Sequence, residues 1–178
     1  MFMLYRFEET TPSLGENVFI APDASVIGNV HCADDVSIWY GCVLRGDVGR
    51  ISIGQGTNIQ DQSVIHITGG HHDTSIGACV TVGHRAILHG CTIEDSVLIG
   101  MGAIVMDDVH VGEYSLIGAG ALLTPGTKVP PGSLVLGGPA KVKRSLSDEE
   151  KKRIDWNWAH YVELAQRHQQ GSEVIVSE

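Results

Sequence analysis

What this chain lacks narrows its possible roles before any motif is considered. No apolar run approaches the roughly 18 residues expected of a membrane-spanning helix, and "MFMLYRFEETTP" has no basic region leading into a long apolar stretch, so neither a membrane span nor a signal peptide is expected. Positive charge is scarce, with 12 Lys and Arg against 21 Asp and Glu and a formal net charge of -9. That balance argues against nucleic acid or an anionic membrane as the main partner. Cysteine is sparse, and Cys32, Cys42, Cys79 and Cys91 show no CxxC spacing; they read as reduced, mostly buried small hydrophobes of a cytoplasmic protein. Aromatic residues make up only 6% of the chain, so any core is built from aliphatic and small side chains. Glycine is the exception to this thrift, at 22 of 178 residues. The chain needs many turns and little bulk, at a length that suits one domain with an appendage.

A repeat accounts for the glycines. From Ile20 the sequence runs in sixes: "IAPDAS VIGNVH CADDVS IWYGCV LRGDVG". After three extra residues the phase resumes in "IGQGTN IQDQSV IH", again in "IGACVT VGHRAI LHGCT", and then continues unbroken from Ile93 to Val135. Every first place except Cys32 is Ile, Leu or Val. This period fits short strands that each end in a tight bend suited to Gly, Asn or Asp. Three strands close one triangular coil, and the blocks make about six coils stacked at the strand spacing of roughly 4.8 Å. The expected fold is all-β, a parallel β-helix over residues 12–140 with a thin aliphatic core.

The last part of the chain changes character. "SLSDEEKKRIDWNWAHYVELAQRHQQG" opens with a capping box, Ser147 as N-cap and Glu150 three residues on. Ile154, Trp158, Tyr161 and Ala165 then share one helical stripe. A helix over 145–170 is expected, packed on the β-helix or on a neighbouring subunit, with Gly171 as its stop and the polar tail as a frayed end.

Assigning blocks to three faces turns the repeat into geometry. The Ile53 and Ile76 blocks fall on face A, Ile59 and Val82 on B, and Leu44, Ile65 and Leu88 on C, with "TGGHHDTS" bulging from a corner. Arg45, His66 and His89 then share the second place of face C on successive coils, while Asp61 and His84 share the third place of face B. Two imidazoles one strand spacing apart can converge on one ion at roughly 2.0–2.1 Å. His84, on another face near a corner, cannot easily join them within its own chain, but a neighbouring subunit in a threefold assembly could supply it. Arg45 pairs with Asp47, or with an aspartate such as Asp61 across the interface. His71 and His72 read as solvated loop residues, and His31, His110, His160 and His168 as structural or exposed.

The motifs "LRGD", "NIQD", "VIH", "TVGHRAILHGCTI" and the closing "LSDEE" helix resemble γ-class carbonic anhydrase-like proteins, and the short bacterial branch in particular, over residues 12–165. The resemblance implies a left-handed single-stranded β-helix, a homotrimer, and one metal per interface: zinc, with iron(II) or cobalt(II) as alternatives. It implies His66 and His89 from one subunit and His84 from the next as ligands. It also implies Gln60 hydrogen-bonded to the metal's water, Arg45, Asp47 and Asp61 holding the interface, and Tyr161 near the metal. The implied chemistry is reversible hydration of CO2 to bicarbonate, since a metal with an open position lowers the pKa of its water toward about 7.

One departure stands out. The prototype's acidic loop with its shuttle glutamate is missing, and "TGGHHDTS" offers only His71, His72 and Asp73 to move protons. Two rival readings share the fold: a hexapeptide acyltransferase using an interface histidine as general base toward an acyl-CoA acceptor, and a non-catalytic metal-binding scaffold subunit.

Overall fold

The structure, a computed structural model, describes residues 3–171. Its core is a parallel β-solenoid of about seven turns, visible on one face as the stack Phe19–Ile20, Ser37–Ile38, Asn58–Ile59, Thr81–Val82, Leu98–Ile99, Leu116–Ile117 and Ser133–Gly137. Counting from Ile20 predicts about six coils; the blocks close six and leave one further strand, Ser133–Gly137, as the seventh on face B, while Ser13–Leu14 adds a strand to face A by pairing with His31–Cys32. The three faces follow the aliphatic phase. Ile59 pairs with Val82 on B, Ile53 with Ile76 on A, and Leu44 with Ile65 and Leu88 on C. These first-place side chains are buried and stack into one aliphatic column per face.

The corners differ from a simple glycine rule. Asp35, Gln62, Cys79, Arg85, Ser96, Asp108 and Tyr114 all adopt positive φ. Each donates its backbone N–H to a corner carbonyl of the preceding coil, as Arg85 does to Asp61 and Asp108 to Gly90. A left-handed conformation costs an L-residue roughly 1–2 kcal/mol, and a coil-to-coil hydrogen bond offsets a cost of that order. Stacking therefore admits arginine, cysteine and tyrosine where a lone turn would favour glycine or asparagine.

Two strands, Ser25–Cys32 and Val43–Ile53, run around the corner between faces C and A without a break, and their mutual register shifts between Gly28 and Val30. The three extra residues of the sequence repeat lie in the second of these strands. It leads past "LRGD", and Asp73 at the end of the bulged loop accepts the Arg50 N–H at 2.8 Å.

The helix Asp148–Gly171 packs along face B of its own chain. Ile154 and Ala165 are buried, and the Tyr161 ring meets Trp39 edge-on with centroids 5.3 Å apart. His168 packs against Trp39 at 4.9 Å and Phe19 at 5.8 Å. The capping box forms in both directions: Ser147 N–H donates to Glu150 Oε2 at 2.8 Å, and Glu150 N–H to Ser147 Oγ at 3.3 Å. The tail expected to fray, residues 172–178, lies outside the described residues.

All four cysteines are free thiols. Burial pushes Cys32, Cys42 and Cys91 up to about 12, so none of these three is a thiolate at neutral pH. Among the described residues no helix is long and apolar enough to cross a membrane.

Candidate metal centre

His66 and His89 pair directly across adjacent strands of face C, which brings their rings to a centroid separation of 5.2 Å. His66 Nδ1 and His89 Nε2 lie 3.2 Å apart. Each ring's other nitrogen faces a carboxylate: His66 Nε2 lies 3.1 Å from Asp47 Oδ1, and His89 Nδ1 lies 2.7 Å from Asp107 Oδ1. A carboxylate accepts, so in the neutral rings those outer nitrogens carry the protons. The two inner nitrogens are then lone pairs facing one another. Two nitrogens bound tetrahedrally to one ion at about 2.05 Å lie roughly 3.3 Å apart. The donor set therefore fits a divalent cation between the rings, with the carboxylates orienting the ligands from behind.

His84 repeats the pattern on face B. Its Nδ1 lies 2.8 Å from Asp61 Oδ2, which leaves Nε2 without a protein partner among the described residues. Among the described residues of a single chain, no three metal-ligating side chains converge. His84 thus stays apart from the face C pair, as its different face requires.

Arg45 pairs with Asp47 within the chain, while Asp61 goes to its own His84. Partial burial alone would push Asp47 up, but hydrogen bonds from Arg45 and His66 prevail and hold its carboxyl below the usual aspartate range. Asp107 behaves likewise: burial is outweighed by the hydrogen bonds of His89 and Thr68. Both carboxylates are charged at neutral pH and complement a cation.

Gln60, Tyr161 and His84 line one cavity of about 400 Å³ on face B, together with Asn157 from the helix. Gln60 is buried, and its Nε2 donates to Asn58 Oδ1 at 3.1 Å. Asn58 Nδ2 donates in turn to Thr81 Oγ1 at 3.0 Å, which donates to Asn157 Oδ1 at 3.2 Å. This chain fixes the Gln60 amide and leaves its carbonyl oxygen as an acceptor for the cavity. Burial, and then the Asp61 charge, push the Tyr161 phenol up, so it remains protonated.

Sequence reasoning missed Asp107 and Thr68, whose hydroxyl donates to Asp107 Oδ2 at 2.9 Å. A signal was present: the repeat puts Asp107 one coil beyond His89 on face C, in "VMDDVH". Gly90 makes that approach possible. It adopts φ +57, and a Cβ there would sit 2.2 Å from Asp107 Oδ1. The expected loop is a tight bulge in which Thr68 and His72 form an antiparallel bridge. His72 lies against the centre, its Cβ 3.0 Å from where a Gly90 Cβ would stand.

Residues 90–125 match the family of bacterial transferase hexapeptide repeats (six repeats). The chain is 40% identical over 164 residues to a carbonic anhydrase of Geobacillus kaustophilus, covering 92% of this chain and 90% of that one. It is 48% identical over 165 residues to the mitochondrial gamma carbonic anhydrase 1 of Arabidopsis thaliana, covering 90% of this chain. Only 60% of that longer relative is spanned. Among solved structures, a hexapeptide transferase family protein from Anaplasma phagocytophilum superposes with a TM-score of 0.88 at 43% identity, covering 92% of this chain and 96% of that one. With the Geobacillus kaustophilus relative matched at 40% identity over 90% of its length, the chain belongs to the γ-class carbonic anhydrase family of hexapeptide-repeat proteins.

Proposed function

We propose that this protein is a homotrimer that hydrates CO2 reversibly to bicarbonate, with one metal at each subunit interface. His66 and His89 of one subunit and His84 of the next would hold the metal, zinc on the strength of an all-imidazole donor set. The observation that carries the reading is the 3.2 Å approach of two inner imidazole nitrogens, each ring backed by a carboxylate. When bound, a divalent metal supplies the Lewis acidity that makes water a nucleophile near neutral pH.

The chain's own residues do the rest. Asp47, Asp107 and Asp61 keep the protons of the three rings on the outer nitrogens. The Gln60 carbonyl oxygen accepts from water in the cavity and orients it. Tyr161, half-buried and protonated, lines the same cavity. Arg45 neutralises the carboxylate that His66 leans on.

The trimer is supported by the outer surface of face C. Val64, Ile87 and Ile104 stack there in register, each 38–39% exposed, beside the two histidines. A second copy covers that apolar column and brings its His84 with it. The backed histidines favour metal chemistry over an acyl-CoA acceptor site. Metal analysis of the purified trimer with a CO2-hydration assay tests the reading: about one ion per subunit and measurable hydration are expected. A metal-free protein that binds acetyl-CoA would overturn it in favour of an acyltransferase. Bound metal without hydration would leave the scaffold role.

A further inference from the structure

Away from the histidine pair, face A carries a second ordered histidine. His31 pairs in register with Ser13 on one neighbouring strand and Ser52 on the other. Ser13 Oγ lies 2.5 Å from His31 Nδ1, and His31 Nε2 lies 2.9 Å from Asn29 Oδ1. The amide oxygen can only accept, so Nε2 carries the proton of the neutral ring and Nδ1 is a lone pair. Ser13 must therefore donate its hydroxyl proton to Nδ1. An orienting acceptor, an imidazole in one tautomer and an exposed hydroxyl form a nucleophile, base and orienter in sequence.

Ser13 and His31 open on a groove of about 430 Å³ that is also lined by Arg50, Ser52 and Gly54. Arg50 is exposed, and among the described residues its guanidinium forms no ion pair. The groove therefore offers a nucleophile and one uncommitted cation.

The geometry points to a serine-dependent hydrolytic site for small carboxylic esters that carry a second, anionic group. Ser13 Oγ attacks the ester carbonyl carbon while its proton passes to His31 Nδ1. The carbon–oxygen bond to the alcohol then breaks as that proton moves to the leaving oxygen. A solvent water attacks the acyl-serine, gives its proton to His31 Nδ1, and the proton returns to Ser13 as the acid leaves. Ester and water become acid and alcohol, with no other reactant. Arg50 binds the substrate's carboxylate, and Asn29 holds the imidazole in its working tautomer.

The test treats the intact, metal-loaded protein with a fluorophosphonate and follows hydrolysis of p-nitrophenyl acetate and of mono-p-nitrophenyl succinate. Ser13 should be labelled, and labelling should be absent from Ser13→Ala. His31→Ala should lower hydrolysis by about 10²-fold or more. Arg50→Gln should slow the succinate ester more than the acetate ester. A chelator should alter none of these, which separates the site from any hydrolysis at the histidine centre. In a Ser13→Cys background, iodoacetamide should alkylate the introduced thiol faster with His31 present than with His31→Ala. No label on Ser13 of the folded protein, hydrolysis that survives Ser13→Ala, or hydrolysis lost with the metal would each overturn the proposal and leave the trio as a surface hydrogen-bond network.

Discussion

Asp107 reaches back one coil to accept the His89 Nδ1 proton at 2.7 Å, and the glycine following His89 is what lets it come that close. The His89 ring is thus held in one orientation by a carboxylate from the next coil. Asp107→Ala should weaken metal binding about 10–100-fold, the usual cost of losing a carboxylate behind a ligating histidine. Gly90→Ala should act in the same direction, because its Cβ displaces the Asp107 carboxylate. Competition with a chromophoric chelator measures both, and circular dichroism should show an intact solenoid. Wild-type affinity in Asp107→Ala would mean the carboxylate is irrelevant to the ligand.

Single ligand changes should be more severe. His66→Ala, His84→Ala and His89→Ala should each lose the metal while the aliphatic columns keep the fold. Two such mutants should rescue each other if the site is shared: His66→Ala still offers His84, and His84→Ala still offers the face C pair. Co-refolding them should restore about one metal site per mixed trimer. Verified mixed trimers without metal would exclude ligands drawn from two chains.

Metal binding should also respond to acid with a defined sign. Imidazole ligates only when neutral, so protons compete with the ion and affinity should fall as the solution is acidified. Metal release followed by equilibrium dialysis between pH 5 and 8 checks this. Binding that is flat across the range would argue against a three-histidine donor set.

Proton exit is a separate matter from metal binding. His72 sits beside Gly90, and His71 is its ring neighbour at 6.4 Å. If the bulged loop carries protons out, changing His71 and His72 to Ala should lower the maximal hydration rate without loss of metal, and added imidazole should restore it. An unchanged rate in the double mutant would show that the loop takes no part.

The helix start offers a test independent of the metal. The hydrogen bond from Arg144, and then that from the Ser147 backbone, hold the Glu150 carboxyl down at about 2, against an ordinary 4.5. A depressed acid contributes stability that is present above its ordinary value and lost as pH falls through the folded one. Protection of the first helical turn should therefore fade between about pH 4.5 and 2, and Glu150→Gln should abolish that dependence. Amide exchange around Ser147 reads it out. Ser147→Ala should cost about 1 kcal/mol through the lost cap.

The faces and the register of the histidines were legible because a solenoid converts sequence position into place with almost no freedom. Ile65 and Leu88 had to stack, so His66 and His89 had to meet. Residues whose meaning depends on what approaches from the next coil were not legible. Asp107 reads as one more acidic corner until the glycine at position 90 is seen to admit it. His31 reads as surface decoration until Ser13 and Asn29 are seen on either side of its ring. Arg85 and Tyr114 at positive φ break the glycine rule for turns, because coil-to-coil hydrogen bonds outweigh local preference there.

The far end of the solenoid is closed by a change of direction. Ala140–Ser145 turns back antiparallel on Ser133–Gly137 and presents Lys141, Lys143 and Arg144 along its exposed length. A further parallel coil of another molecule would find the wrong polarity and a row of cations on that edge. Charged edge strands of this kind resist fibre-like growth. Repetitive proteins carry a standing risk of polymerising end over end, and here the last strand acts as a chain terminator.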